Sequence, residues 1–356
     1  MSRAQAAAGT ERAVGAARTM DSVSQFALGA SCAALALHGD SRPWRAVLVG
    51  GLVATLPDLD VLFSTGSPIA DVRAHRGQSH SLLWLTLASV PLAHGLAAAF
   101  GELGRLRRWW IAVWLALFTH PLLDALTVYG TKLALPFSEH AYAVGCIFVI
   151  DPLFTIPLLV GLHGYVRRGA GAGARWNRRG LSVACVYAAW SFVAQQLATH
   201  AAHAQLLAAG VSTQRVVVTP APLQTLLWRV VAVDGNDAYE GFWSVLDGDR
   251  PVRFERIDRG TQWLAALRDN PFAQSVDAFA QGFTKAERHG DALRCIDLRM
   301  GQEPHYVFAF EVARVREDGT AEPHVVDRKV GARIDARRGL AWLWARMLGE
   351  DVASPR

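Results

Sequence analysis

Six long apolar runs occupy most of the first two hundred residues, and they constrain the fold more than any other feature of the sequence. A helix needs about 20 mainly apolar residues to cross the hydrocarbon core of a bilayer. The runs approach that length, although the first is short: Val23–Leu37, Trp44–Phe63, Ser81–Phe100, Trp109–Tyr129, Gly145–Gly164 and Leu181–Leu197. We therefore predict an α-helical transmembrane bundle of five to six membrane helices.

The second half of the chain has the composition of an ordinary soluble protein. Runs rich in β-branched and aromatic residues predict strands, and Asp234–Asp237 is a hairpin signal between two of them. A helical pattern follows from about Gly260 before a second predicted hairpin. We predict a C-terminal soluble α+β domain over 210–356, a helical bundle over 21–205 and a disordered N-terminal arm over 1–20.

Charge and cysteine content exclude several classes of protein. The formal net charge is +5, but the arginines cluster in short segments between apolar runs, so we predict no nucleic-acid partner. Of the four cysteines, three lie inside apolar runs and none is in a C-x-x-C pair. This pattern argues against a disulfide framework and against a thiolate zinc site.

The ionisable motifs, which lie at 56–60, 75–80, 119–124 and 151–152, share one side of the predicted bundle. If runs two to six alternate in direction, the ends that carry these motifs all emerge on the same side. The opposite side holds arginine-rich loops at 105–108 and 167–179, which the positive-inside rule places in the cytoplasm. We expect the motifs and the C-terminal domain to share the outer side.

Three of these motifs combine carboxylates and imidazoles, the mixed ligands of zinc, manganese or iron hydrolase sites. An ionisable group near membrane depth is costly unless it is paired or bound to metal. We predict one site for a divalent transition metal, or for two ions, with six candidate ligands. They are Asp58, Asp60, His75, His80, His120 and Asp124.

Catalytic roles are assigned to three residues of these motifs, Asp58, His80 and Arg76. Such a metal would supply hydroxide from bound water near neutral pH. Arg76 could hold a phosphate or pair with an aspartate.

Each motif also has a structural interpretation. Asp-x-Asp after a proline is common in turns, and the segment from His75 to His80 could be a solvated interfacial loop. His120 and Asp124, four residues apart, could hydrogen-bond along one helix face. Gln25 fits a helix-packing role better than a role in the site. The convergence of the three motifs on one rim favours the metal site.

Together the motifs resemble the YdjM family, described as LexA-regulated, membrane-bound metal-dependent hydrolases of the bacterial inner membrane; the hydrolase label is itself an inference within that family. The resemblance covers about residues 20–165. It rests on segments around the first apolar run and the three motifs, and on shorter ones after them: Asp21–Gln25, Leu56–Asp60, His75–Ser81, Thr119–Asp124, Tyr129–Thr131, Pro136–Ser138 and Ile150–Leu153.

The resemblance implies a multi-pass protein of the inner membrane whose paired aspartates, histidine pair and Thr-His-x-x-x-Asp motif fall on the six residues given above. One departure is Gln25, where shorter members often place a histidine.

Two functions remain open. The first is hydrolysis of a phosphoester or other ester-type bond in a small-molecule, lipid-linked or envelope-associated substrate, with membrane lipid as a partner. The second is a non-catalytic role as a metal-ion transporter or a structural scaffold. Polar groups crowd one rim while the helix middles are apolar, which favours the enzyme. The sequence does not fix the oligomeric state.

Overall fold

Helices fill the first half of the chain and strands most of the second. The structure, a computed structural model, describes residues 22–39, 42–248, 250–316, 321–330 and 335–355. The predicted N-terminal arm, 1–20, lies outside the described residues. Six helices precede the strands: α1 Ser22–Ala36, α2 Pro43–Ala54, α3 Pro68–Ala74, α4 Leu82–Ala99, α5 Leu106–Ala125 and α6 Pro152–Ala208. Short 3-10 helices occupy Pro57–Leu62, Gln78–His80 and Leu103–Arg105.

The prediction of five to six membrane helices is wrong. Among the described helices, two are long and apolar enough to cross a membrane: α4 and the second arm of α6, Gly171–Ala208. The first two helices are apolar but have fewer than 18 residues. At 1.5 Å per residue, helices of that length fall short of the roughly 30 Å hydrocarbon core. α6 is interrupted at Gly169, whose φ is +70°, and therefore consists of two helical arms.

Residue contacts divide the chain into two units. The helical unit comprises the described residues of Met1–Phe63, Ala74–Phe192 and Pro222–Gln224, and the sheet unit comprises those of Ser64–Arg73, Val193–Ala221 and Thr225–Arg356. Each unit has its own buried apolar clusters.

Small residues let the first helices of the helical unit approach closely. A Cβ atom added at Gly50 of α2 would lie 2.3 Å from the Cβ of Ala33 and 2.7 Å from the backbone oxygen of Gly29, both on α1. Ala27, Ala30 and further alanines of α1 are fully buried in the adjoining core. Small side chains at helix interfaces permit such close backbone packing, so α1 is held tightly against α2.

α5 packs antiparallel against α4. The indole nitrogen of Trp110 donates to Ser89 Oγ at 3.0 Å, and that of Trp114 donates to Thr86 Oγ1 at 3.1 Å. As the position on α5 advances along the chain, its partner on α4 moves back. The end of α5 therefore returns to the level at which α4 begins.

The sheet unit contains two four-stranded antiparallel sheets. The first has the order β1 Val216–Pro220, β2 Leu227–Asp234, β3 Asp237–Ser244 and β4 Phe254–Asp258. The second has the order β10 Ala321–Lys329, β9 Ala309–Val315, β6 Ala292–Asp297 and β5 Thr284–His289. A small hairpin, β7 Gly301–Gln302 with β8 His305–Tyr306, lies between β6 and β9.

Three further helices lie between or after the strands: α7 Thr261–Ala266, α8 Pro271–Phe279 and α9 Ala336–Met347. The predicted hairpin at Asp234–Asp237 is present, since these two residues pair at the end of β2 and β3. A C-terminal β-sheet region is therefore present, as the sequence predicted.

Candidate metal centre

Two 3-10 helices and one α-helix position the four closest ligand candidates. Asp58 lies in the first turn of the 3-10 helix that Pro57 opens directly after α2. His80 ends the second 3-10 helix, immediately before Ser81 caps α4. His120 and Asp124 lie one turn apart near the end of α5, on the same helix face. The antiparallel packing of α5 on α4 brings this last turn to His80.

The four side chains meet through one atom each. The Nε2 atoms of His80 and His120 are 3.0 Å apart. Oδ2 of Asp124 lies 3.1 Å from His80 Nε2 and 3.4 Å from His120 Nε2. Oδ1 of Asp58 lies 3.5 Å and 3.3 Å from the same two nitrogens. All four ligand atoms lie within 4.8 Å of one another.

These spacings fit a tetrahedral metal site. Ligand atoms about 2.0–2.1 Å from a zinc ion are separated by about 3.3–3.4 Å along each tetrahedral edge. Five of the six edges of this group have lengths from 3.0 to 3.5 Å. Two imidazole nitrogens 3.0 Å apart cannot both present lone pairs to each other, so a proton or a cation has to lie between them.

The two carboxylate oxygens of Asp124 have different surroundings. Oδ1 of Asp124 accepts from Gln25 Nε2 at 2.9 Å and from Arg76 Nη2 at 3.0 Å. Oδ2 of Asp124 is buried and forms no well-aligned hydrogen bond with the described residues. Its nearest ligand-type neighbours are the two histidine nitrogens, at 3.1 Å and 3.4 Å, so a proton or a cation held between these atoms has to compensate its burial. A metal ion between these atoms would satisfy it.

The charges of the centre favour a divalent cation. The centre contains three carboxylates and one guanidinium, those of Asp58, Asp60, Asp124 and Arg76. Its net charge is therefore −2 when the histidines are neutral. Burial raises the pKa of Asp58, but hydrogen bonds with His120 and His80 outweigh burial and hold this pKa well below its usual range. Asp58 is therefore ionised and can bind a cation.

The environment of His80 shows the same excess of negative charge. Burial lowers the pKa of this imidazole. Its hydrogen bonds with Asp124 and Asp58 have a larger, opposite effect and raise the pKa to about 9. The carboxylates stabilise a positive charge at the position of the His80 ring. A divalent cation beside a neutral ring would be stabilised by the same carboxylates.

Asp60 and His75, also predicted as ligands, pair with each other beside the group of four. His75 Nδ1 lies 2.7 Å from Asp60 Oδ1. Asp60 Oδ2 accepts from Ser79 Oγ at 2.6 Å and lies 3.6 Å from His80 Nδ1, which is itself 2.9 Å from Ser79 Oγ. This network orients His80 from the side opposite to Nε2, as partners of metal-binding histidines do. Direct ligation by Asp60 or His75 stays a prediction.

Arg76 faces the interior of the centre. Its side chain is buried, and its guanidinium contacts the Asp124 carboxylate, the Thr127 hydroxyl at 2.8 Å and the ring of Tyr129. Its φ is +61°, a conformation that non-glycine residues adopt rarely. The structure therefore shows the pairing with an aspartate that the sequence offered as one of two roles for Arg76.

Gln25 contacts the centre, although the sequence favoured a helix-packing role for it. Its amide nitrogen donates to Asp124 Oδ1 at 2.9 Å and to the backbone oxygen of His120 at 3.2 Å. α1 is thereby joined to the two ligands of α5. The available signal was its position: in shorter members of the family that the chain resembles, a histidine often occupies this place. Asp151, by contrast, caps α6 and accepts from the Tyr187 hydroxyl at 2.8 Å.

Comparison with known proteins agrees with the sequence motifs. The family described as YdjM inner membrane protein matches residues 20–212. The chain is 35% identical over 100 residues to inner membrane protein YbcI of Escherichia coli (strain K12), a match that covers 28% of this chain and 57% of that protein. It is 29% identical over 121 residues to uncharacterized protein YfhP of Bacillus subtilis (strain 168), covering 33% of this chain and 36% of that protein. No solved structure matches.

The first prediction concerns the ligands. His120→Ala and the near-isosteric Asp124→Asn should each release the transition metal that purified wild-type protein retains, because each removes one of four converging ligand atoms. Metal content measured by inductively coupled plasma mass spectrometry checks this. His94→Ala, on the exposed face of α4, is the matched control and should keep its metal. Full metal retention in both ligand variants would refute the assignment.

The second prediction concerns Gln25. Gln25→Leu keeps the size of the side chain but removes the hydrogen bond that fixes Asp124 Oδ1. We expect metal affinity to fall by about 10–100-fold, the usual effect of losing a partner that orients a ligand. Competition with a chelator of known affinity measures the change. An affinity within a factor of two or so of the wild type would show that Gln25 only packs α1 against α5.

Proposed function

Because the chain belongs to the YdjM family of inner membrane proteins, we propose that it is a membrane-bound metal-dependent hydrolase acting on a phosphoester or other ester-type bond. The observation that carries the proposal is the convergence of four ligand atoms from Asp58, His80, His120 and Asp124. A divalent transition metal bound there would lower the pKa of a water molecule and supply hydroxide near neutral pH. Zinc, manganese and iron all suit this mixed donor set.

The four residues differ in exposure in a way that suggests separate roles. The side chains of His80, His120 and Asp124 are 0%, 0% and 1% exposed, whereas that of Asp58 is 19% exposed. Catalytic zinc sites commonly use three protein ligands and leave the fourth position open to water or substrate. In this proposal the three buried residues hold the metal. Asp58, at the accessible edge, would accept the proton of the attacking water.

The surrounding residues position this machinery. Arg76 neutralises Asp124 and holds its Oδ1, so that Oδ2 is directed at the histidines. Ser79 and Asp60 hold the distal nitrogen of His80. Because Arg76 is buried and already engaged, its proposed contribution is to orient Asp124, and substrate binding at its guanidinium would require a rearrangement of that pairing.

The third prediction tests catalysis. Asp58→Asn should lower the rate of phosphoester hydrolysis by about 10²–10⁴-fold, the usual contribution of a general base. The measurement is turnover of p-nitrophenyl phosphate and bis(p-nitrophenyl) phosphate by detergent-purified protein. Asp291→Asn, an exposed aspartate of the sheet unit, is the matched control. Metal retention without turnover of any ester or phosphoester would favour the transporter or scaffold alternative.

We also propose that the protein is oriented in the membrane with the metal centre and the sheet unit on the periplasmic side. This orientation rests on the arginines at 105–108, which follow α4, and those at 167–179, which precede or begin the second arm of α6. Short basic segments beside membrane helices face the cytoplasm.

The fourth prediction tests this orientation. Alkaline phosphatase fused after Arg356 should be active, and green fluorescent protein fused at the same place should be dark, because the first folds only outside the cytoplasm and the second only inside it. Phosphatase activity and fluorescence in intact cells give the measurement. The reverse pattern would place the sheet unit in the cytoplasm.

A further inference from the structure

An apolar groove of about 350 Å³ lies in the helical unit, and its wall includes Leu82, two residues after His80. This volume falls within the roughly 300–1,000 Å³ typical of small-molecule sites. The groove is lined by the first turn of α4 and by the segment that follows α5. The main lining residues are Leu82, Leu83, Leu133, Leu135, Phe137 and Tyr142.

Backbone hydrogen bonds tie the walls of the groove to the segment that carries His80. Leu82 N donates to Leu133 O at 3.0 Å, and Ser81 Oγ donates to Leu135 O at 2.5 Å. Lys132 N donates to Arg76 O at 3.0 Å. Because Ser81 and Leu82 directly follow His80, the groove begins next to a metal ligand, and its position relative to the centre is fixed.

The lining suits a hydrocarbon chain better than a polar ligand. No charged side chain lines the groove, and the hydroxyl of Tyr142 is the one polar side-chain group among its lining residues. A sugar or nucleotide bound here would leave its hydrogen-bonding groups unpaired, which is costly. An alkyl chain has no such groups and gains by leaving water.

The surroundings indicate where such a chain would come from. The groove is built on the first turn of α4, which is a candidate membrane span and begins at Leu82. Phe137, at the groove, is 82% exposed, and Leu62 and Phe63, close in sequence to Asp58, are also exposed. Exposed apolar side chains of this kind mark surfaces that contact other molecules or membrane. At the end of a membrane helix, the neighbouring apolar molecules are lipids.

We propose that this groove holds an acyl chain of a membrane lipid and thereby presents the ester or phosphoester of that lipid to the metal centre. The inference deepens the proposed hydrolase function and rests on it for the reaction. The binding of the chain itself can be tested without any turnover. The groove would then select substrates with a long apolar chain over soluble esters.

The experiment is photolabelling of the full-length protein with phosphatidic acid that carries a diazirine in one acyl chain, followed by peptide mass spectrometry. We expect labels within Leu133–Tyr142 and at Leu82 or Leu83. Ala134 also lines the groove. Ala134→Trp places a bulky ring there and should reduce labelling by about tenfold, the effect of excluding about two methylene groups from an apolar site. Ala98→Trp, at an exposed position of α4, should label like the wild type.

A second variant guards against misfolding. Phe137→Ser changes an exposed side chain and should also reduce labelling in the groove while metal content stays at the wild-type level. Labels that lie elsewhere, or that survive both groove variants, would overturn the proposal. So would protein–protein crosslinks through Phe137 that lipid does not displace, since they would show that a second copy fills the groove.

The two proposals fail separately. If wild-type protein binds no metal or turns over no substrate but is still labelled in the groove, the hydrolase proposal is refuted and the lipid-binding groove remains. If Ala134→Trp raises KM for a long-chain substrate but leaves bis(p-nitrophenyl) phosphate turnover unchanged, the groove sets specificity. Equal effects on both substrates would show that the groove does not select for the chain.

Discussion

The buried carboxylate of Asp124 sets the conditions under which the helical unit can fold. An ionised carboxylate in a protein interior is destabilising by several kcal/mol unless it is paired and hydrogen-bonded. Asp124 forms an ion pair with Arg76 and accepts a hydrogen bond from Gln25, and these two residues belong to different segments of the chain. The carboxylate of α5 thus joins α5 both to α1 and to the loop that precedes α4. Pairing accounts for one oxygen, and the second oxygen faces the histidines, which is the geometry of a metal ligand.

The sequence located this centre because spacing along a helix is a strong signal. His120 and Asp124 are four residues apart, and the two loop motifs lie at the ends of neighbouring apolar runs, which led to the prediction that they converge. The structure brings four of the six candidates within 4.8 Å of one another. Sequence could not separate residues that contact the metal position from residues that orient them. Asp60 and His75 have ligand chemistry, yet they pair with each other; Gln25 has packing chemistry, yet it fixes Asp124. These distinctions depend on side-chain directions within a few ångströms.

The predicted number of membrane helices was wrong, for a different physical reason. Hydropathy counts apolar residues, but it does not show where a helix ends. The second run extends to Phe63 in sequence, whereas α2 ends at Ala54, before Pro57 starts a 3-10 helix that carries two aspartates. The fifth run includes residues before Pro152 that are not helical. The strands of the second half were easier to predict, because Asp234–Asp237 is a local hairpin signal that needs no tertiary context.

The order of the ligands along the chain has a consequence for assembly. All four lie between positions 58 and 124, within the helical unit, and their side-chain partners Gln25, Arg76 and Ser79 precede position 124 as well. These residues all precede the first strand, which begins at Val216. A ribosome therefore synthesises all four candidate ligands and their side-chain partners long before it reaches the first strand.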